Sequence, residues 1–257
     1  MTITPFTRLA LLAGAALSSA VTSLAGQRPF TYLYETTTAP KGSFELETWA
    51  TWKHRDVDGG GKDVDNFEFR HEVEIGLTDR LQLGIYLYDW AYSQESDGSH
   101  EADWQHSGFD LIYNMTNPTT SFLGSALYGE IVVGRDSIEI EGKLLLEKQF
   151  GPLTVAYNAV LEAEWEGETL REEKKGEFKQ LIGVSYELNK HFSVGAEALH
   201  EIEFPEWEEA NDSVVYAGPN VSVRAGRIFA TATALFQVTD VEGEADFQVR
   251  LITGIQF

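Results

Sequence analysis

The chain has 257 residues and no Cys, and its 41 Asp and Glu against 19 Lys and Arg give a net charge of −22. That acidity excludes a nucleic-acid partner, whose phosphates are neutralised by Lys and Arg, and the lack of Cys excludes disulfide staples. A content of 43% hydrophobic and 12% aromatic residues excludes a mostly disordered chain.

Residues 1–25 carry one positive charge, Arg8, ahead of a Leu- and Ala-rich run that closes on Ser23-Leu24-Ala25. A basic start, an apolar run and small residues at the cleavage point predict a secretory signal peptide, cut before Gly26. Ser18, Ser19, Thr22 and Ser23 make the run too polar for a membrane-spanning helix, which needs about 20 apolar residues. Residues 26–42 show no sustained alternation. They read as a lead-in, either hanging in the periplasm or tucked into a barrel mouth.

From residue 43 to residue 257 apolar and polar residues alternate, and a period of two means strands. The clearest stretch is 66–92. Phe67, Phe69, Val73, Ile75 and Leu77 share one face, broken only by His71, and Glu68, Arg70, Glu72 and Glu74 stand between them. After a polar turn at 78–80, Leu81, Leu83, Ile85 and Leu87 alternate with Gln82, Gly84, Tyr86 and Tyr88. This is a hairpin, with strands close to the roughly 9–11 tilted residues that cross a bilayer.

The same pattern predicts strands at 43–55, 66–77, 81–92, 108–115, 122–134, 138–150, 153–165, 177–188, 191–202, 214–224, 228–238 and 246–257. Pro219 makes the tenth the weakest, because proline removes a ladder hydrogen bond. Connections alternate between short turns and long charged loops, with 135–137 the exception. That asymmetry marks an outer-membrane barrel with short periplasmic turns. The predicted fold is therefore all-β: an antiparallel up-and-down transmembrane barrel of about twelve strands over 43–257, in the bacterial outer membrane.

The last strand, DFQVRLITGIQF, keeps Phe247, Val249, Leu251 and Ile255 in one row and ends on Phe257. It resembles the terminal strand by which bacterial outer-membrane proteins are recognised by their assembly machinery. The GLTDRLQLG turn and the YETTTAPKGSFELETW stretch resemble small proteobacterial outer-membrane channels. The group they are most similar to is the transporter-like barrels that include the "MetA-pathway of phenol degradation" proteins. The resemblance implies a barrel among lipid and lipopolysaccharide, open to small solutes, and carries over no catalytic residues.

With apolar rows facing lipid, the alternate rows line the lumen. Glu68, Arg70, Glu72, Tyr86, Tyr88, Trp90, Glu139, Glu141, Lys143, Glu162, Glu164 and Arg250 are the candidate lining residues. One reading is structural, with cross-strand ion pairs filling the interior. The other is a pore whose acidic walls favour cations. Asp56, Asp58, Asp63 and Asp65 suggest a calcium loop, but Gly60 and Phe67 stand where an EF-hand needs ligands. His71 on the lipid row has Thr48 beside it and no Ser, unlike the Ser–His pair of barrel phospholipases. No GxSxG, Walker or HExxH motif occurs. The chain is accordingly read as no enzyme, with no cofactor and no dedicated metal site. Its expected function is a narrow passive channel or transporter with cation preference, or alternatively a closed interaction barrel with acidic loops.

Overall fold

This computed structural model describes residues 28–57 and 62–257, so the expected signal peptide lies outside the described residues. Among them no helix is long and apolar enough to cross a membrane. Strands make the crossing: β1 (Phe44–Arg55), β2 (Val64–Thr78), β3 (Leu81–Gln94), β4 (His100–Trp104), β5 (His106–Thr116), β6 (Gly124–Gly134), β7 (Ser137–Phe150), β8 (Leu153–Glu166), β9 (Glu173–Asn189), β10 (Phe192–Pro205), β11 (Val214–Ala225), β12 (Ile228–Gln237) and β13 (Phe247–Gln256).

Sequence neighbours pair antiparallel, and β13 closes on β1 from Glu45↔Gln256 to His54↔Phe247. β4 and β5 both pair with β3 and are parted only by Gln105, so together they make one barrel strand. The barrel is thus twelve-stranded. At the seam the Phe257 N–H donates to the Phe44 carbonyl at 2.8 Å, and the two rings stack at 4.7 Å. Closure leaves no open edge, which is what a sheet in lipid requires.

Leu87, Leu127, Leu144, Leu161 and Ile182 are among the large apolar residues left exposed on the outer wall. In a membrane they face acyl chains. At one end of the barrel four connections are two residues long, at 79–80, 151–152, 190–191 and 226–227, with 117–123 longer; the opposite end carries the longer loops, apart from the tight turn at 135–136.

Three details depart from the sequence reading. β9 begins at Glu173, so the hairpin it forms with β8 rises past the predicted loop; Lys174 and Lys175 pair opposite Trp165 and Glu164, where charges can be hydrated. The predicted loop at 93–106 contains β4. In β11 the pairing with β12 lapses at Gly218-Pro219 and resumes in the same register at Asn220↔Thr233. Proline thus removes a rung without ending the strand.

The lumen is not hollow. Residues 28–36 run inside the barrel and 37–42 lead out at the short-turn end; Phe30 and Leu33 are fully buried against inward apolar residues from β8 to β12, including Val160, Leu181, Leu199 and Leu235. Gly183 is needed for this fit, since a Cβ there would lie 2.7 Å from the Phe30 ring and 2.9 Å from Leu33. Tyr34 belongs to a second buried group with Trp49, Ile112, Tyr128, Leu145 and Ile252.

Candidate functional site

Polar side chains on the inner wall hold the N-terminal segment through its backbone. The N–H groups of Thr31, Tyr32 and Leu33 donate to the Glu197 carboxylate at 3.0, 2.8 and 3.2 Å. Tyr34 donates its N–H to Asn158 at 2.7 Å, and Asn158 returns a bond to the Tyr34 carbonyl at 3.0 Å. Thr36 donates its N–H and hydroxyl to Glu147, and Ala39 its N–H to Gln82. Arg28 reaches Glu47 at 2.8 Å and Glu74 at 3.2 Å. These acceptors replace the sheet partners that an extended segment otherwise lacks, which buried backbone demands. Glu35, on this segment rather than on a spanning strand, has its carboxyl held well above the usual range by burial, and Glu147 pushes it the same way.

The segment fills the half of the lumen nearest the short turns. Above it, towards the long loops, lies a cup of about 390 Å³ with Tyr32 and Tyr34 among its lining. The cup shares wall residues with an outer mouth of about 560 Å³ lined in part by Gly243, Glu244 and Ala245. A third space of about 260 Å³ lies between the segment and the wall at Glu45, Glu47, Glu74 and Gln82. Between cup and inner space stands buried Trp49, with the guanidiniums of Arg28, Arg70 and Arg250 at 4.6, 5.7 and 5.6 Å from its ring. Cations over an indole face are mutually stabilising contacts, and here they make a septum.

The structure brings most of the predicted lining residues into this space. Glu68 pairs with Lys53 at 2.8 Å, and Arg250 lies over Tyr32 and donates to Thr51. Arg70 pairs with Asp89 at 2.8 Å and stacks 4.0 Å above Tyr86. Tyr86 is buried, with its hydroxyl on Tyr128 and Glu130. Lys143 pairs with Glu141 at 2.7 Å beneath the rings of Tyr34 and Tyr128. Lys179 bridges Glu162 and Glu177, and Lys175 holds Glu164. Carboxylate oxygens of Glu139, Glu162 and Glu164 gather within 4.8 Å of one another. Glu72 lies deeper and does not line the cup.

Tyr88 does not line the lumen, whereas Trp90 is among the residues that line the cup. Opposite β2, β3 carries one extra residue: His71 pairs with Tyr88 but Glu72 pairs with Tyr86, leaving Leu87 bulged. A bulge reverses the parity of every later side chain. Leu87 and Tyr88 therefore both face outward, and Trp90 stacks on Phe69 at 4.2 Å, both of them among the cup's lining. Asp89 turns inward in their place, to Arg70 and His106. Sequence reasoning missed Asp89 for this reason, and missed Arg28, Phe30 and Leu33 because their partners are distant in the chain. The suggested calcium loop falls partly outside the described residues; His54, Asp56 and Asp63 gather there within 4.8 Å. On the outer wall the Thr48 hydroxyl lies 3.1 Å from His71 Nδ1.

A closed twelve-stranded antiparallel barrel with an apolar outer belt and a charged interior is a bacterial outer-membrane β-barrel. The chain belongs to a family of unknown function, DUF6662, whose profile matches residues 22–251. No curated protein matches it. Among solved structures it is similar to the COG4313 outer membrane channel from Pseudomonas putida F1, at 11% identity and a TM-score of 0.66 over 89% of this chain and 100% of that one. It is also similar to the translocator domain of the autotransporter NalP from Neisseria meningitidis, at 12% identity and a TM-score of 0.54 over 98% and 97%. LpxR from Salmonella typhimurium follows at 9% identity and a TM-score of 0.49 over 83% and 99%. The first two likenesses show the fold. The reading of the chain as no enzyme is corrected: a barrel of this sort does not exclude catalysis, and enzyme status is not established.

Proposed function

We propose that this barrel is a narrow outer-membrane passage for small solutes with a preference for cations. The observation that carries the reading is the cup, whose lining includes seven Asp and Glu against five Lys and Arg. Low-dielectric walls focus such a field, so a modest excess of one sign sets the potential along a narrow path. Twelve strands leave less room than the 16–18 of open porins, and residues 28–42 reduce it further, so conductance is small and bulky solutes are excluded. The likeness to an outer membrane channel supports the same reading.

A leader removed at export, assembly directed by the strand ending in Phe257, and loops among lipopolysaccharide complete the proposal. A closed interaction barrel is the second reading, favoured by the septum of arginines around Trp49. Planar-bilayer recording in a salt gradient separates them. A small conductance with a cation-selective reversal potential is expected. Anion selectivity would give control to the three guanidiniums, and silence in protein verified as folded would support the closed barrel.

A further inference from the structure

Residues 28–36 occupy the lumen without joining its wall. Their hydrogen bonds to the strands end on wall side chains, among them Glu147, Asn158, Glu197, Asn220 and Thr231. Among the described residues no backbone-to-backbone bond ties 28–39 to a strand; the first such bond runs from the Gly42 N–H to the Gly76 carbonyl at 2.8 Å. The ladders that close the barrel are therefore complete without the segment. Both ends of the inserted stretch lie on the short-turn side. Arg28 and Pro29 border a small pocket with His191 and Arg224, beside the turns at 190–191 and 226–227. At the other end the Thr38 hydroxyl donates to the Asp79 carbonyl, in the turn at 79–80. The stretch thus begins and ends on one side, and can withdraw as a loop without threading through the barrel.

What it covers is a wall suited to water. Glu47, Glu147, Asn158, Glu197, Asn220 and Thr231 all touch it, and each is at most 5% exposed while it is in place. An interior meant to stay filled is more stable when apolar, because burying a carboxylate costs free energy that its partners only partly return. Polar inward rows are those of a barrel whose lumen takes water. An apolar strip of Val160, Leu181, Leu199 and Leu235 is the exception; it meets Phe30 and Leu33 and holds the segment closed. We propose that residues 28–36 are a retractable plug, an autoinhibitory loop seated from the short-turn side, whose withdrawal joins the cup to the inner space and widens the proposed passage. The plug rests on the passage reading for its consequence, and its test separates the two.

Gly183 supplies a lock. A Cβ there would lie 2.9 Å from Leu33 Cδ1, so Leu33→Cys with Gly183→Cys brings two sulfurs within disulfide reach, and no native Cys competes. Oxidised, this variant should hold only the small conductance in planar bilayers. Reduced, it should show openings at least about threefold larger, because a vacated twelve-stranded lumen is wider than side chains alone can fill. Deleting residues 28–36 should make the large state permanent and admit polyethylene glycols that the oxidised variant excludes. Heat-modifiable gel mobility verifies folding. If the deletion does not fold, Gly183→Ala is read by the same criterion, since its methyl would lie 2.7 Å from the Phe30 ring in the closed position. Equal small currents in the oxidised, reduced and deleted proteins overturn the plug and leave the passage standing. Failure of the two cysteines to join in folded protein overturns the plug as well. Silence in every variant overturns the passage and the plug together. Large openings that select anions uphold the plug and defeat the cation preference alone.

Discussion

Glu197 carries more of the N-terminal segment than any single contact suggests. Its two oxygens take three consecutive backbone N–H groups and also meet Asn220 and Thr233. An amide in its place keeps one acceptor and turns the other position into a donor facing N–H groups. Leaving buried donors unsatisfied costs about 1–3 kcal/mol each. Glu197→Gln should therefore loosen the segment without opening the barrel. Because the chain has no native Cys, Leu33→Cys provides a clean reporter. Its reaction with a water-soluble thiol reagent should be slow in the otherwise native protein and much faster beside Glu197→Gln. Equal rates would show that Phe30 packing and the remaining hydrogen bonds hold the segment without Glu197.

At the scale of the strand, β3 turns on a single bulged residue. A lipid-borne quencher should reach a fluorophore on Tyr88→Cys and should not reach one on Tyr86→Cys. Quenching at both sites, or at neither, would contradict the parity change at Leu87. The outer belt gives a second test. Leu144 lies mid-strand on β7, outward and next to inward Lys143. An arginine at a lipid-facing midplane position costs about 2–4 kcal/mol. Leu144→Arg should lower the folded fraction on urea titration in liposomes by a shift of that size, and no shift would place Leu144 away from lipid.

For the whole molecule, the seam between β1 and β13 is where the barrel becomes a closed object. The stack of Phe257 on Phe44 sits at its end. Phe257→Ala removes that contact and the terminal aromatic ring that resembles an assembly signal. The expected result is a lower outer-membrane yield in cells, with refolding in detergent little changed. A matching loss in detergent would assign Phe257 to seam stability rather than to assembly.

Much of the barrel was legible because lipid and lumen impose a period of two on every crossing strand, and Phe67 to Leu77 displays it without help from the rest of the chain. Strand number, inward carboxylates such as Glu139 and Glu162, and the alternation of short and long connections all follow from that local rule. The tertiary structure decided what the rule does not cover. The bulge at Leu87 arises from pairing with β2, and one extra residue is invisible to alternation until the partner strand is placed. The lead-in lacks a period because it is no strand of the wall; its bonds run to Glu47, Glu147, Asn158 and Glu197, residues scattered along the chain and gathered only when the barrel closes. Glu72 reads as a lumen charge in sequence, and only the pairing of β2, β3 and β5 sets it beside Asp110 at Gly84.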